Sequence, residues 1–138
     1  MSEEIPIQLV DENDQPIGDG YRKDIYQKGL LHRIVRVMLI DESGNVLIQK
    51  RQMGKRLFPG RWDNSAAGHV DSGEEYEIAA RRELHEELGL NGVQLAEIAY
   101  YRSQTRDGEK ILNRFTKIYT ARVPSTTEFV LQESEVAK

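Results

Sequence analysis

Cysteine is absent from all 138 residues, so this chain can build no disulfide, zinc–thiolate centre or cysteine nucleophile. Long apolar runs are missing as well. The longest, such as Val37-Met38-Leu39-Ile40, are strand-sized and far too short to cross a bilayer. There is no basic excess: a net charge of −4 provides no electrostatic footprint, so neither nucleic acid nor a membrane is expected as a partner. Met1 leads into Ser2-Glu3-Glu4 rather than a basic and then apolar leader, which makes the cytoplasm the expected compartment. Repeats and low-complexity tracts are lacking too. What is present, 38% hydrophobic and 30% charged residues, is the composition of one soluble domain spanning residues 1–138. At that length a domain buries ~70% of its unfolded surface.

Turn formers and alternation outline the elements. Ile5 to Val10 reads as an edge strand, Asp11 to Pro16 as a hairpin tip or loop, and Asp24 to Leu30 as a short helical turn ending at Gly29. Leu31 to Ile40 is the first convincing strand, and Val46 to Arg51 pairs back across the Asp41–Asn45 turn. Asn64 to Ala67 is a short strand. Val93 to Thr105 and Lys110 to Val123 flank an Asp107-Gly108 turn, and Glu128 to Leu131 could form one more strand.

The chemistry concentrates between Gly68 and Leu90. Ser72 with Glu75 matches a capping box, so a helix is expected from Gly73, with Tyr76, Ala80, Leu84 and Leu88 as its apolar stripe and Gly89 as its stop. Glu83, Glu86 and Glu87 stand at i, i+3 and i+4 and share one face of that helix. Like charges at this spacing repel by roughly 0.2–0.5 kcal/mol per pair, and they lie near the negative end of the helix dipole. A divalent cation would relieve both penalties. The alternative is a solvated acidic face, which is what most charged helix stripes are. His85 points away from the acids and reads as surface.

The full spacing runs Gly68, five residues, Glu74, seven residues, then Arg82-Glu83-Leu84-His85-Glu86-Glu87-Leu88-Gly89-Leu90. This resembles the Nudix box, with every defining position filled. The resemblance implies an α/β/α sandwich around a mixed β-sheet. It also implies hydrolysis of a diphosphate linkage, in a nucleoside diphosphate bonded to another moiety or another organic diphosphate, with Mg²⁺ or Mn²⁺ as cofactor. Glu83, Glu86, Glu87 and the Gly68 carbonyl would hold the metal, Glu83 or Glu86 would be the general base, and Glu74 and Arg82 would orient the helix. Nudix folds usually place a helix after the last strands. The ending Leu131 to Lys138 stops before one could form, so that helix is expected to be missing or truncated, with association into a homodimer as one way to cover the sheet.

Upstream, Leu31-His32-Arg33, Gln49-Lys50-Arg51, Lys55, Phe58 to Ser65 and Gly68-His69 resemble isopentenyl diphosphate isomerase, which shares the Nudix fold but moves a double bond. By that resemblance Arg51 and Lys55 contact the substrate diphosphate, for which a bidentate fork and a mobile ammonium are suited. His32 and His69 match two isomerase metal ligands, and a structural or hydrogen-bonding role is the competing reading. The isomerase's cysteine is replaced in Ala66-Ala67, and Asn113 to Thr116 supplies no acid where the isomerase has a pair. A diphosphate hydrolase is therefore the expectation, with an isomerase or a binding-only Nudix domain as the alternatives. Trp62 reads as core rather than a stacking platform. Arg33, Arg36, Arg61 and Arg114 are unranked candidates for a positive rim.

Overall fold

A computed structural model describes residues 4–44, 46–47, 49–50, 62–63 and 66–124. The sheet is ordered by one strand that tolerates burial on both faces. β3 (His32–Ile40) is apolar enough along its length to sit in the middle, and it has neighbours on each side. β1 (Ile7–Val10) and β2 (Pro16–Gly20) form a hairpin, of which β1 joins β3. β4 (Val46–Leu47) turns back on the C-terminal end of β3, while β5 (Gln49–Lys50) and β6 (Trp62–Asp63) make a separate two-stranded piece. β7 (Ala66–His69) pairs antiparallel with β3, from Ile34↔His69 to Val37↔Ala66. On the other side β9 (Lys110–Arg122) runs parallel to β3 over its full length, and β8 (Ala96–Asp107) closes the order β2-β1-β3-β9-β8 as a long antiparallel hairpin partner. The sheet is mixed, as the resemblance implied.

Helices flank both faces. α2 (Tyr76–Leu88) packs Tyr76, Ala79, Ala80, Leu84 and Leu88 against the odd-numbered residues of β3 and β9, in a core that includes Val35, Val37, Leu39, Phe115 and Tyr119. α1 (Arg22–Lys28) lays Ile25 and Tyr26 over Ile7 and Leu112 in a second, smaller cluster. The two clusters follow the strand alternation, with odd residues of β3 and β9 toward α2 and even residues toward α1.

Three expectations change. β1 is interior rather than an edge, because the segment Pro16–Gly20, for which the sequence suggested no strand, supplies the edge strand β2 outside it. The capping box does not form. The helix starts at Tyr76, and no side chain caps it, because the Ser72 amide is taken by the Pro6 carbonyl and the Gly73 amide by Gln8 Oε1. β8 begins three residues later than the sequence suggests, within the usual uncertainty of strand ends; of the strand expected at 64–67, residues 66–67 open β7 and residues 64–65 lie outside the described residues. The suspected strand at 128–131 and the missing or truncated C-terminal helix lie outside the described residues.

Candidate functional site

The site is built where α2 crosses β7. Two turns into the helix, Glu83 points back at the strand, and only a residue without a side chain can stand opposite it. A Cβ added to Gly68 would fall inside the Glu83 carboxyl group. Glu87, one turn further on, is buried at 6% exposure, and its Oε2 accepts a hydrogen bond from the Ala67 amide at 3.2 Å. The two carboxyl groups are hydrogen-bonded to each other. Burial first, then the hydrogen bond and charge of Glu87, push the Glu83 pKa well above the usual carboxylate range, against the pull of Arg82.

Arg82 organises the rest. Its Nε donates to Glu74 Oε2 at 2.8 Å, one terminal nitrogen to the His69 carbonyl at 2.9 Å, and the other to Glu83 Oε1 at 2.8 Å and Glu86 Oε2 at 3.2 Å. Asp71 lies 3.4 Å from the same guanidinium. Burial works against the charge here, but the hydrogen bond to Glu74 and the charges of Glu83, Asp71 and Glu74 outweigh it and hold Arg82 cationic. Glu74 in turn accepts from the Asp71 amide at 2.9 Å and so ties the helix to the end of β7. The network joins Glu74 and Arg82 to each other and to the end of β7.

Of the three clustered acids, Glu83 and Glu87 meet. Glu86 is half exposed and turns to Arg82 instead. Among the described residues no three His, Asp or Glu side chains converge as a group able to hold an ion. Glu86 thus pairs with Arg82, while Glu83 and Glu87 face each other. The donor set suits a hard divalent cation: four carboxylate oxygens on two touching groups, in a cradle kept open by Gly68. Arg51 and Lys55, the expected diphosphate contacts, lie outside the described residues, as do Arg61 and the side chain of Trp62.

His32 and His69 occupy the opposite face of the sheet. His69 Nε2 is 2.9 Å from the Tyr26 hydroxyl, and the His32 ring packs 5.5 Å from that of His69. His32 Nδ1 bonds the Leu30 carbonyl at 3.0 Å, which leaves Nε2 buried without a hydrogen-bond partner. His85 is exposed.

One polar centre escaped the sequence reading. Asp14, in what reads as a hairpin tip, is buried and accepts from Arg33 Nε at 2.7 Å, Tyr76 at 2.7 Å and Tyr100 at 2.6 Å. Its φ of 60° is one that Asp tolerates better than most residues, and it locks the hairpin to α2 and β8. Arg33 is thereby removed from any positive rim.

The model of the NUDIX domain matches residues 30–138. Isopentenyl-diphosphate Delta-isomerase 2 of Photorhabdus laumondii is 47% identical over 83 residues, 60% of this chain and 47% of that protein. An uncharacterised Nudix hydrolase of Pseudomonas aeruginosa is 40% identical over 66% of this chain and 54% of its own length. The chain thus spans about half the length of the curated relatives it matches. Among solved structures, DR0079 of Deinococcus radiodurans superposes with a TM-score of 0.77 at 29% identity, covering 96% of this chain and 79% of that one.

Proposed function

Since the chain belongs to the NUDIX domain family, we propose that it is a hydrolase that uses a divalent metal, Mg²⁺ or Mn²⁺, to cleave a diphosphate linkage by attack of water. The observation that carries this reading is the Glu83–Glu87 carboxyl pair, pressed together beneath Gly68 with Glu86 one step away. Glu83, Glu86, Glu87 and the Gly68 carbonyl would hold the metal. Bound there, the ion would neutralise phosphate charge, polarise the scissile bond and acidify the attacking water. Arg82 holds both Glu83 and Glu86, and Glu74 fixes Arg82. A carboxylate not consumed by the metal, Glu83 or Glu86, accepts the proton of the attacking water. Arg51 and Lys55 would grip the diphosphate. The substrate is a nucleoside diphosphate bonded to another group, or another organic diphosphate.

Isomerisation is the second reading, favoured by the isomerase names among the relatives. Against it stand Ala66 and Ala67 where the isomerase has its cysteine. Hydrogen bonding of His69 to Tyr26 also gives that histidine a role without metal.

The test is hydrolysis across a panel from nucleotide sugars to prenyl diphosphates. Activity should require Mg²⁺ or Mn²⁺ and fall by two or more orders of magnitude in Glu87→Gln, roughly the loss of one strong transition-state interaction. Tight binding without turnover of any compound would favour a binding module. Deuterium exchange into isopentenyl diphosphate would favour the isomerase.

A further inference from the structure

We propose that Gln8 and Asp14, on the β1–β2 hairpin, are positioning residues for the carboxyl pair: they hold the start of α2 and the loop before it, and so set where Glu83 and Glu87 meet β7. Their effect on turnover rests on the hydrolase reading, whereas the clamp itself rests on hydrogen bonds independent of it. Both residues precede 30–138, the stretch that the NUDIX domain model matches, so neither is part of the matched domain.

The site is a relation between a helix and a strand. Glu83 lies against Gly68 and Glu87 accepts from the Ala67 amide, so α2 must keep one position over β7. The helix does not secure its own start, since no side chain caps it. The hairpin secures it from two directions. Along the loop between β7 and α2, the Gln8 amide donates to the Val70 carbonyl at 3.0 Å, Ile7 bridges to Asp71, and the Ser72 amide donates to the Pro6 carbonyl at 3.0 Å. The Gly73 amide then donates to Gln8 Oε1 at 2.9 Å. Gln8 is itself fixed: it is buried, and its Nε2 donates to the carbonyls of Leu9 and of Gly18 on β2. At the first residue of α2, the Tyr76 hydroxyl donates to Asp14 Oδ2 at 2.7 Å, while Arg33 Nε holds the other oxygen of that carboxylate. Asp71 carries the hold onward, 3.4 Å from the Arg82 guanidinium that binds Glu83 and Glu86.

Apolar packing decides which face α2 buries, but it is not directional; hydrogen bonds are, and they fix the tilt. Glu87 lies about 16 Å along the helix from Tyr76. A tilt of about 5° at Tyr76 would carry Glu87 by roughly 1.4 Å, and a misplacement near 1 Å can cost about a hundred-fold in rate.

Two tyrosines supply the test with its own control. Tyr76 and Tyr100 donate to the same Asp14 oxygen, at 2.7 and 2.6 Å, but only Tyr76 belongs to α2. Tyr76→Phe and Tyr100→Phe delete chemically identical bonds and keep both rings. With Mg²⁺ and a diphosphate that the wild type hydrolyses, Tyr76→Phe should lower kcat by about ten-fold or more at unchanged KM, and Tyr100→Phe should leave both near wild type. Gln8→Met keeps the length, removes the acceptor for Gly73 and should behave as Tyr76→Phe does; wild-type kcat in a folded Gln8→Met would strike Gln8 from the clamp. A second readout needs neither metal nor substrate: hydrogen exchange at the Ala67 amide, measured in EDTA. In Tyr76→Phe this proton should exchange at least about ten-fold faster than the change in global stability accounts for, and in Tyr100→Phe it should not. Equal losses of kcat in the two tyrosine variants, or equal changes in Ala67 exchange, overturn the clamp. If nothing is hydrolysed, exchange decides alone: faster exchange in Tyr76→Phe only upholds the clamp and sinks only the hydrolase reading.

Discussion

At His32, burial lowers the imidazole pKa from 6.5 to about 4; the hydrogen bond to the Leu30 carbonyl opposes this and the Arg114 charge adds to it. Between those two values the unfolded chain binds a proton that the folded chain refuses. Stability is therefore fully present above pH 6.5 and declines as pH falls toward 4, by about 3 kcal/mol at most from this residue. Urea unfolding at pH 7 and pH 5 should show the decline, and His32→Leu should flatten it whatever its own effect at pH 7. An unchanged pH slope in that variant would mean that other groups are responsible. Glu83 shows how single residues were legible. Its spacing to Glu87 was readable from the helical period alone, and the contact between the two carboxyl groups followed. Asp14 was not readable, since its three side-chain donors lie 19, 62 and 86 residues away.

Each helix stops at a glycine in the left-handed conformation, Gly29 at φ 68° and Gly89 at φ 71°. Both stops were visible in the sequence as helix-ending glycines, but their surroundings were not. An added Cβ at Gly29 would lie 2.7 Å from Ile111 Cγ2 on β9. Gly89→Ala should cost about 1–2 kcal/mol, the left-handed strain of an L-residue. Gly29→Ala should cost more, since a side chain of β9 must also move, by roughly 1–3 kcal/mol further. Denaturant midpoints at constant slope compare the two; equal losses would show that Ile111 gives way freely. The start of α2 makes the complementary point. Ser72 and Glu75 carry the local signature of a cap, and the chain overrides it because Pro6 and Gln8 take the Ser72 and Gly73 amides.

Across the whole molecule the Glu83–Glu87 pair is a local cost that a ligand can remove. A cation that binds the folded chain alone stabilises it by linkage, about 2.7 kcal/mol at a hundred times Kd. Thermal unfolding with Mg²⁺ or Mn²⁺ should therefore shift upward by several degrees over the same protein in EDTA, and Glu87→Gln should abolish the shift. A melting temperature indifferent to both metals in the wild type would count against a metal at this site.

The sequence by itself determined the acidic helix, its glycine stop, the approximate positions of several strands around it and the family, because these depend on neighbours within a few turns or on fixed spacing. Only the tertiary structure decided which acids meet and which face of the sheet each arginine occupies. Arg33 and Arg36 are three residues apart on one strand and look alike in the sequence. Strand alternation sends Arg33 under α2 to Asp14 and turns Arg36 to the opposite face. Asp14 reaches Arg33 from 19 residues away, and no local pattern encodes such a meeting.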